Sequence, residues 1–81
     1  MSYFVYILEC NDGSLYTGIT TNIEKRLEEH NTSTKGAKYT KARRPVKLVY
    51  QEASENRSTA SKREYAIKKL SRLKKIQLIQ S

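Results

Sequence analysis

Five residues of this 81-residue chain have types and spacing that suit chemistry: Tyr6, Tyr16, Arg26, His30 and Glu64. A guanidinium presents a planar fork of donors that matches an oxyanion. An imidazole titrates near neutrality, and a carboxylate can hold a hard cation. Arg26 and His30 stand four apart in a helical pattern, so they project together beside the apolar stripe of Ile23 and Leu27. Taken alone, that helix favours a blander reading, a solvated Arg and a surface His among Lys25, Glu28 and Glu29. Glu64 is more demanding. It is the only acid from residue 56 onward, and it falls between Ala60 and Ile67 on the apolar side of a helix that also carries Leu70. Half-burying a carboxylate is unfavourable unless it is paired or holds a cation. Lys68 one turn on, an arginine across the fold, or a metal ion would each satisfy it.

The elements that position these residues follow from patterning. Residues 3–10, YFVYILEC, are aromatic and β-branched and read as a strand, and NDGS then leads into a second strand at 15–20. Hairpin register decides whether Tyr6 and Tyr16 cooperate, because successive strand side chains alternate faces. A two-residue Asp-Gly turn would send them to opposite faces. A three-residue loop, Asn11-Asp12-Gly13 with Gly13 left-handed, pairs Leu8 with Tyr16 and puts both tyrosines on one face with Gly18. It also gathers Val5, Ile7, Leu15 and Ile19 into an apolar layer on the other face, and for that reason it is preferred. Gly18 would leave room for a close approach. Thr21 and Glu24 fit a capping box, which predicts a helix over about 22–30. Residues 31–45 read as a basic loop holding Gly36, Tyr39 and Pro45. A third strand is predicted at 46–53. From about Arg57 the pattern is helical to the end, with Ser71 capping a last helix whose stripe is Leu73, Ile76 and Ile79.

Composition narrows the class. The length suits one domain spanning 1–81, with a modest core. Sixteen Lys and Arg against eight Asp and Glu give a net charge of +8, a field that attracts polyanions and makes nucleic acid the leading partner class. A solubilising basic surface is the alternative, and charge alone does not separate the two. Cys10 is the only cysteine, which excludes an internal disulfide and a multi-cysteine metal site. No apolar run approaches the ~18 residues of a membrane span, so a cytoplasmic protein is expected.

In their order and spacing these residues resemble the GIY-YIG nuclease domain, and more closely its small standalone bacterial members, over almost the whole chain. The family's Gly-Ile-Tyr reads Phe4-Val5-Tyr6 and its Tyr-Ile-Gly reads Tyr16-Thr17-Gly18. Its Arg-Leu-x-x-His run is present as Arg26, Leu27 and His30, and its later helical glutamate matches Glu64. The resemblance implies an α+β fold, a three-stranded antiparallel sheet flanked by helices. It further implies a hydrolase: an endonuclease that cleaves phosphodiester bonds with one divalent ion, Mg²⁺ or Mn²⁺, on Glu64, and DNA is expected as its nucleic acid before RNA. No small-molecule cofactor is implied. A hard cation keeps several waters, so one carboxylate can suffice when phosphate supplies further oxygens. Arg26 would grip the pentacovalent phosphate. Tyr6 or Tyr16 would hold or deprotonate the attacking water, and His30 would accept a proton from a tyrosine or orient it. Lys35, Lys38, Lys41, Arg43 and Arg44 would contact phosphates while Tyr39 stacks on a base. The five site residues are expected to converge on one concave surface. Two departures stand out. No Asn follows Glu64, as it often does in catalytic members, and no separate targeting domain is present. A binding module with weak or no turnover is therefore the alternative function, and a docking module for an acidic protein is a third.

Overall fold

The computed structural model describes residues 2–81. Its elements are β1 (Tyr3–Glu9), β2 (Leu15–Thr20), α1 (Ile23–Thr32), α2 (Lys38–Lys41), β3 (Lys47–Ser54), α3 (Arg57–Lys68) and α4 (Arg72–Gln80), in that order. The strands form an antiparallel sheet in the order β2-β1-β3, which is the expected α+β architecture. Central β1 is covered on both faces, and Val5, Tyr6, Ile7 and Leu8 are all buried.

The hairpin takes the three-residue loop. Gly13 has φ +83°, and its N–H donates to the Cys10 carbonyl at 2.9 Å while the Cys10 N–H donates to the Ser14 carbonyl at 2.8 Å. The register therefore pairs Leu8 with Tyr16 and Tyr6 with Gly18. On one face Val5 and Ile7 pack with Ala60 and Ile67 of α3, with Leu15 and Ile19 beside them. On the other, Tyr6, Leu8, Cys10 and Val46 pack with Tyr16 and with Ile23 and Leu27 of α1. A shift in register between Ile7 and Leu8 adds one residue to β3, so that Val49 and Tyr50, though adjacent, both join the α3 side.

Several boundaries differ from expectation. Asn22, not Thr21, caps α1, its side chain accepting from the Lys25 N–H at 3.1 Å. The Thr20 hydroxyl accepts from the Asn22 N–H at 3.1 Å, which moves the helix start one residue along. The basic loop contains a helical turn, α2, which lacks the length to show a hydrophobic period. Strand β3 runs one residue later than predicted. Ser71 caps α4 as expected, accepting from the Lys74 N–H at 3.2 Å. However, α4 meets the core through Leu78 and Ile79, so Leu73 at its start projects into solvent instead of joining the stripe. Among the described residues no helix is long and apolar enough to cross a membrane.

Candidate active site

Tyr6 is the centre of the cluster because the pleat of β1 aims it across β2 at a position with no side chain. A Cβ on Gly18 would stand 2.5 Å from the Tyr6 hydroxyl oxygen and 2.7 Å from Cζ, so the ring lies over Gly18 only because that residue is glycine. The hydroxyl meets His30 Nε2 at 2.9 Å. Helix α1 lies on this face through Ile23 and Leu27, and the same orientation drives His30 inward until it is fully buried. The surface-histidine reading is thereby corrected.

The other ring nitrogen, Nδ1, lies 2.9 Å from the Thr40 hydroxyl, which in turn is 2.9 Å from the Ala37 carbonyl. Gly36 makes this possible. A Cβ there would stand 2.7 Å from the Glu29 carbonyl oxygen and 2.9 Å from the His30 Cα, so the chain folds back onto α1 backbone to backbone and brings α2 against the imidazole. Tyr16, half-buried on edge strand β2, completes an aromatic group. Its centroid is 6.5 Å from that of Tyr6, 5.2 Å from that of His30 in an edge-on arrangement, and 6.0 Å from that of Tyr39, which is stacked.

Burial shapes the charge states. It pushes the Tyr6 phenol up to about 12, against the pull of Arg26 and with help from the neighbouring Tyr16 and the Glu64 carboxylate. It brings His30 down to about 4, with the Arg26 and Arg44 charges adding to the effect and Glu29 opposing it. Burial also works against the Arg26 charge, but its interactions with Glu29 and Tyr6 outweigh that and push it above its ordinary range. Arg26 donates to Glu29 at 3.0 Å and to the Lys35 carbonyl at 2.8 Å, so its fork is already oriented. The Glu64 carboxylate is half-buried and its ion pair is with Lys68, at 3.5 Å along the helix.

The structure thus groups Tyr6, Tyr16, Arg26 and His30 on one face of the sheet, whereas Glu64 stands on α3, which packs against the other face and pairs it with Lys68. The basic segment divides. Lys35, Lys38 and Lys41 are exposed. Arg43 pairs with Asp12 at 3.1 Å and donates to the Tyr39 carbonyl at 2.8 Å, and its guanidinium lies 3.9 Å from the Tyr39 ring centroid. A base would meet that guanidinium as well as the Tyr39 ring. Arg44 departs furthest from its expected role. It donates to the carbonyls of His30 and Ser33, each at 2.6 Å, so it clamps the end of α1 and does not face outward. Thr40, Gly36 and Asn31 are the positions that sequence reasoning missed. Asn31 exchanges two hydrogen bonds with the Val46 backbone, at 3.0 and 2.8 Å. None of the three belongs to a periodic or motif-like pattern that would have marked it.

A metal can be tested against these residues. Among the described residues no group of three or more His, Cys, Asp or Glu gathers as a cage, which is unsuited to zinc. Glu64 is a single half-buried carboxylate whose present partner is a half-exposed lysine. That donor set fits a hard, mostly hydrated cation such as Mg²⁺ or Mn²⁺.

The family model described as the GIY-YIG catalytic domain matches residues 2–77. A UPF0213 protein of Desulfotalea psychrophila is 61% identical over 80 residues, covering 99% of this chain and 73% of its own length. One from Syntrophus aciditrophicus is 63% identical over 76 residues, covering 94% and 87%. Among solved structures, the solution NMR structure of a UPF0213 protein from Bacillus halodurans matches with a TM-score of 0.63 and 50% identity, covering 99% of this chain and 84% of the other. The solution NMR structure of a protein from E. faecalis matches with a TM-score of 0.67 and 49% identity over the same shares.

Proposed function

The chain belongs to the GIY-YIG catalytic domain family, and from that premise we propose that it is a divalent-metal-dependent endonuclease hydrolysing phosphodiester bonds in DNA. The observation that carries this reading is the buried Tyr6–His30 pair at 2.9 Å, set beside Arg26. A protein that merely gripped phosphate would have no use for a half-buried carboxylate on α3, since it repels the ligand unless a cation intervenes.

Each side chain has a distinct task in this reading. Tyr6 is protonated at neutral pH, its pKa being near 12, so it orients the attacking water by hydrogen bonding and does not stand ready as a phenolate. His30 is fully enclosed and neutral, and it acts on the reaction only through the Tyr6 hydroxyl. Arg26, held by Glu29 and the Lys35 carbonyl, offers its remaining donors to the charge that builds on phosphorus. Tyr16, on the edge strand, is the more accessible phenol for a second contact to water or phosphate. Glu64 would hold the metal, which supplies charge neutralisation at the phosphate when bound. Lys35, Lys38 and Lys41 would hold the strand electrostatically, with no groove-reading element to add sequence preference.

The alternative, a binding module without turnover, draws on the Glu64–Lys68 pair and the engagement of Arg26. Cleavage of single-stranded, duplex and branched DNA with and without Mg²⁺ or Mn²⁺ separates the two. The parent should cut only with metal. Glu64→Ala should abolish cutting while leaving metal-free binding intact or slightly tighter. A parent that cuts no substrate form under either ion would establish the binding module instead.

A further inference from the structure

Thr40 and His30 are both fully buried, and three polar contacts join them into one line from the sheet to the backbone of α2: Tyr6 Oη to His30 Nε2 at 2.9 Å, His30 Nδ1 to Thr40 Oγ1 at 2.9 Å, and Thr40 Oγ1 to the Ala37 carbonyl at 2.9 Å. The direction of the line follows from its far end. A carbonyl only accepts, so the Thr40 proton must point at Ala37, or two oxygens would face each other at hydrogen-bond distance with no proton between them. The Thr40 oxygen then accepts from Nδ1–H, and Nε2 is left with its lone pair toward Tyr6. The opposite arrangement would put a proton on Nε2 and leave the buried Tyr6 hydroxyl to find another acceptor. In its favour are the Ala37 N–H to Nδ1 contact, at 3.4 Å the longest of the set, and the two other donors of the Ala37 carbonyl, the Thr40 and Lys41 N–H groups at 3.1 and 3.2 Å. Neither gives the Tyr6 hydroxyl an acceptor.

We propose that Thr40 is a positioning residue that holds His30 in the tautomer protonated at Nδ1, so that Tyr6 donates to Nε2 and turns its own lone pairs outward to the substrate. The tautomer stands on the geometry of this chain alone, and its effect on cleavage rests on the nuclease reading above. The consequence for that reaction is orientation. A Tyr6 hydroxyl that gives its proton to His30 presents an acceptor to the attacking water, whereas one receiving from His30 would present a donor and repel the water's hydrogens. Gly36 is the structural precondition, since a side chain there would push α2 off the ring.

The test is a long-range ¹H–¹⁵N correlation spectrum of the full chain at pH 7, where His30, the only histidine, gives one pair of ring nitrogens. Nδ1 should be pyrrole-like and Nε2 pyridine-like. Thr40→Val should move the pair toward the opposite tautomer or an average, and Thr40→Ser should restore the parent pattern. A pyrrole-like Nε2 in the parent overturns the proposal without any variant, as does a Thr40→Val spectrum identical to the parent's in a folded protein. If the parent cleaves DNA, Thr40→Val should also lower kcat by about tenfold or more with KM little changed, and Thr40→Ser should recover it. Failure of cleavage in every form with the expected spectrum would reject the nuclease reading and keep the tautomer.

Discussion

His30 and Tyr6 are both kept neutral by burial, one shifted down to about 4 and the other up to about 12, so their hydrogen bond joins two uncharged groups. That makes the fold acid-sensitive in a defined range. Between about 6.5 and about 4 the unfolded chain binds a proton that folded His30 refuses, so stability rises with pH across this window and is lost toward acid. The groups facing the imidazole are Tyr6, Tyr16, Thr40, Arg26, Glu29 and Arg44. The two arginines oppose protonation and Glu29 favours it. Asp12, held below the usual carboxylate range by its Ser14 bonds, keeps its contribution until the pH falls below this window and so does not imitate it. Thermal melts from pH 7 to pH 4 should show a falling Tm that His30→Gln makes flatter, and equal slopes in the two proteins would refute the assignment. The pairing of Tyr6 with this region was legible in the sequence, because only one hairpin loop length gave a coherent apolar layer. The burial of His30 was not. Its neighbours on α1 are charged, and the residues that enclose it come from Gly36 and Thr40, whose contact depends on a backbone approach that leaves no periodic trace.

At the scale of elements, the segment between α1 and β3 serves two purposes, and its basic residues divide between them. Arg44 closes the carbonyl end of α1, where a cation and its donors complement both the orphan acceptors and the helix dipole. Lys38 and Lys41 point outward. Arg44→Gln should therefore lower stability by roughly 1–3 kcal/mol, as loss of partly buried charge-assisted hydrogen bonds does. Lys38→Gln and Lys41→Gln should stay within about 0.5 kcal/mol of the parent. Denaturant titration of the three variants in parallel checks this, and an Arg44→Gln protein as stable as the parent would return Arg44 to the surface role first assigned to it. Sequence alone could not divide the arginines from the lysines here, because an arginine on carbonyls and one awaiting phosphate have the same local context. The order of the strands and longer helices, by contrast, was readable, since each carries its own period and Ser71 marks the start of the last helix; only the short α2 was not.

For the whole molecule, the net charge of +8 is unevenly spread. Beyond residue 56 Glu64 is the only acid among eight Lys and Arg, of which Arg57, Lys62, Lys69, Arg72, Lys74 and Lys75 have no ion pair among the described residues. Together with Lys35, Lys38 and Lys41 they should make affinity for duplex DNA fall steeply with salt, at a log-log slope of about −0.9 per phosphate neutralised. Each Lys→Gln change should reduce that slope by about one if the lysine contacts phosphate. Fluorescence anisotropy across a salt series reads this directly, and a flat response would favour an acidic protein partner. The clamp on α1 has a different consequence, for the order of assembly. Its bonds join residues only 10 to 15 positions apart, whereas pairing β1 with β3 joins residues between 38 and 51 apart. Closing the short loops forfeits less chain entropy than closing the long ones. The α1–α2 enclosure of His30 is therefore cheaper to nucleate than the pairing of β1 with β3, and it can take shape before the strand that completes the sheet arrives.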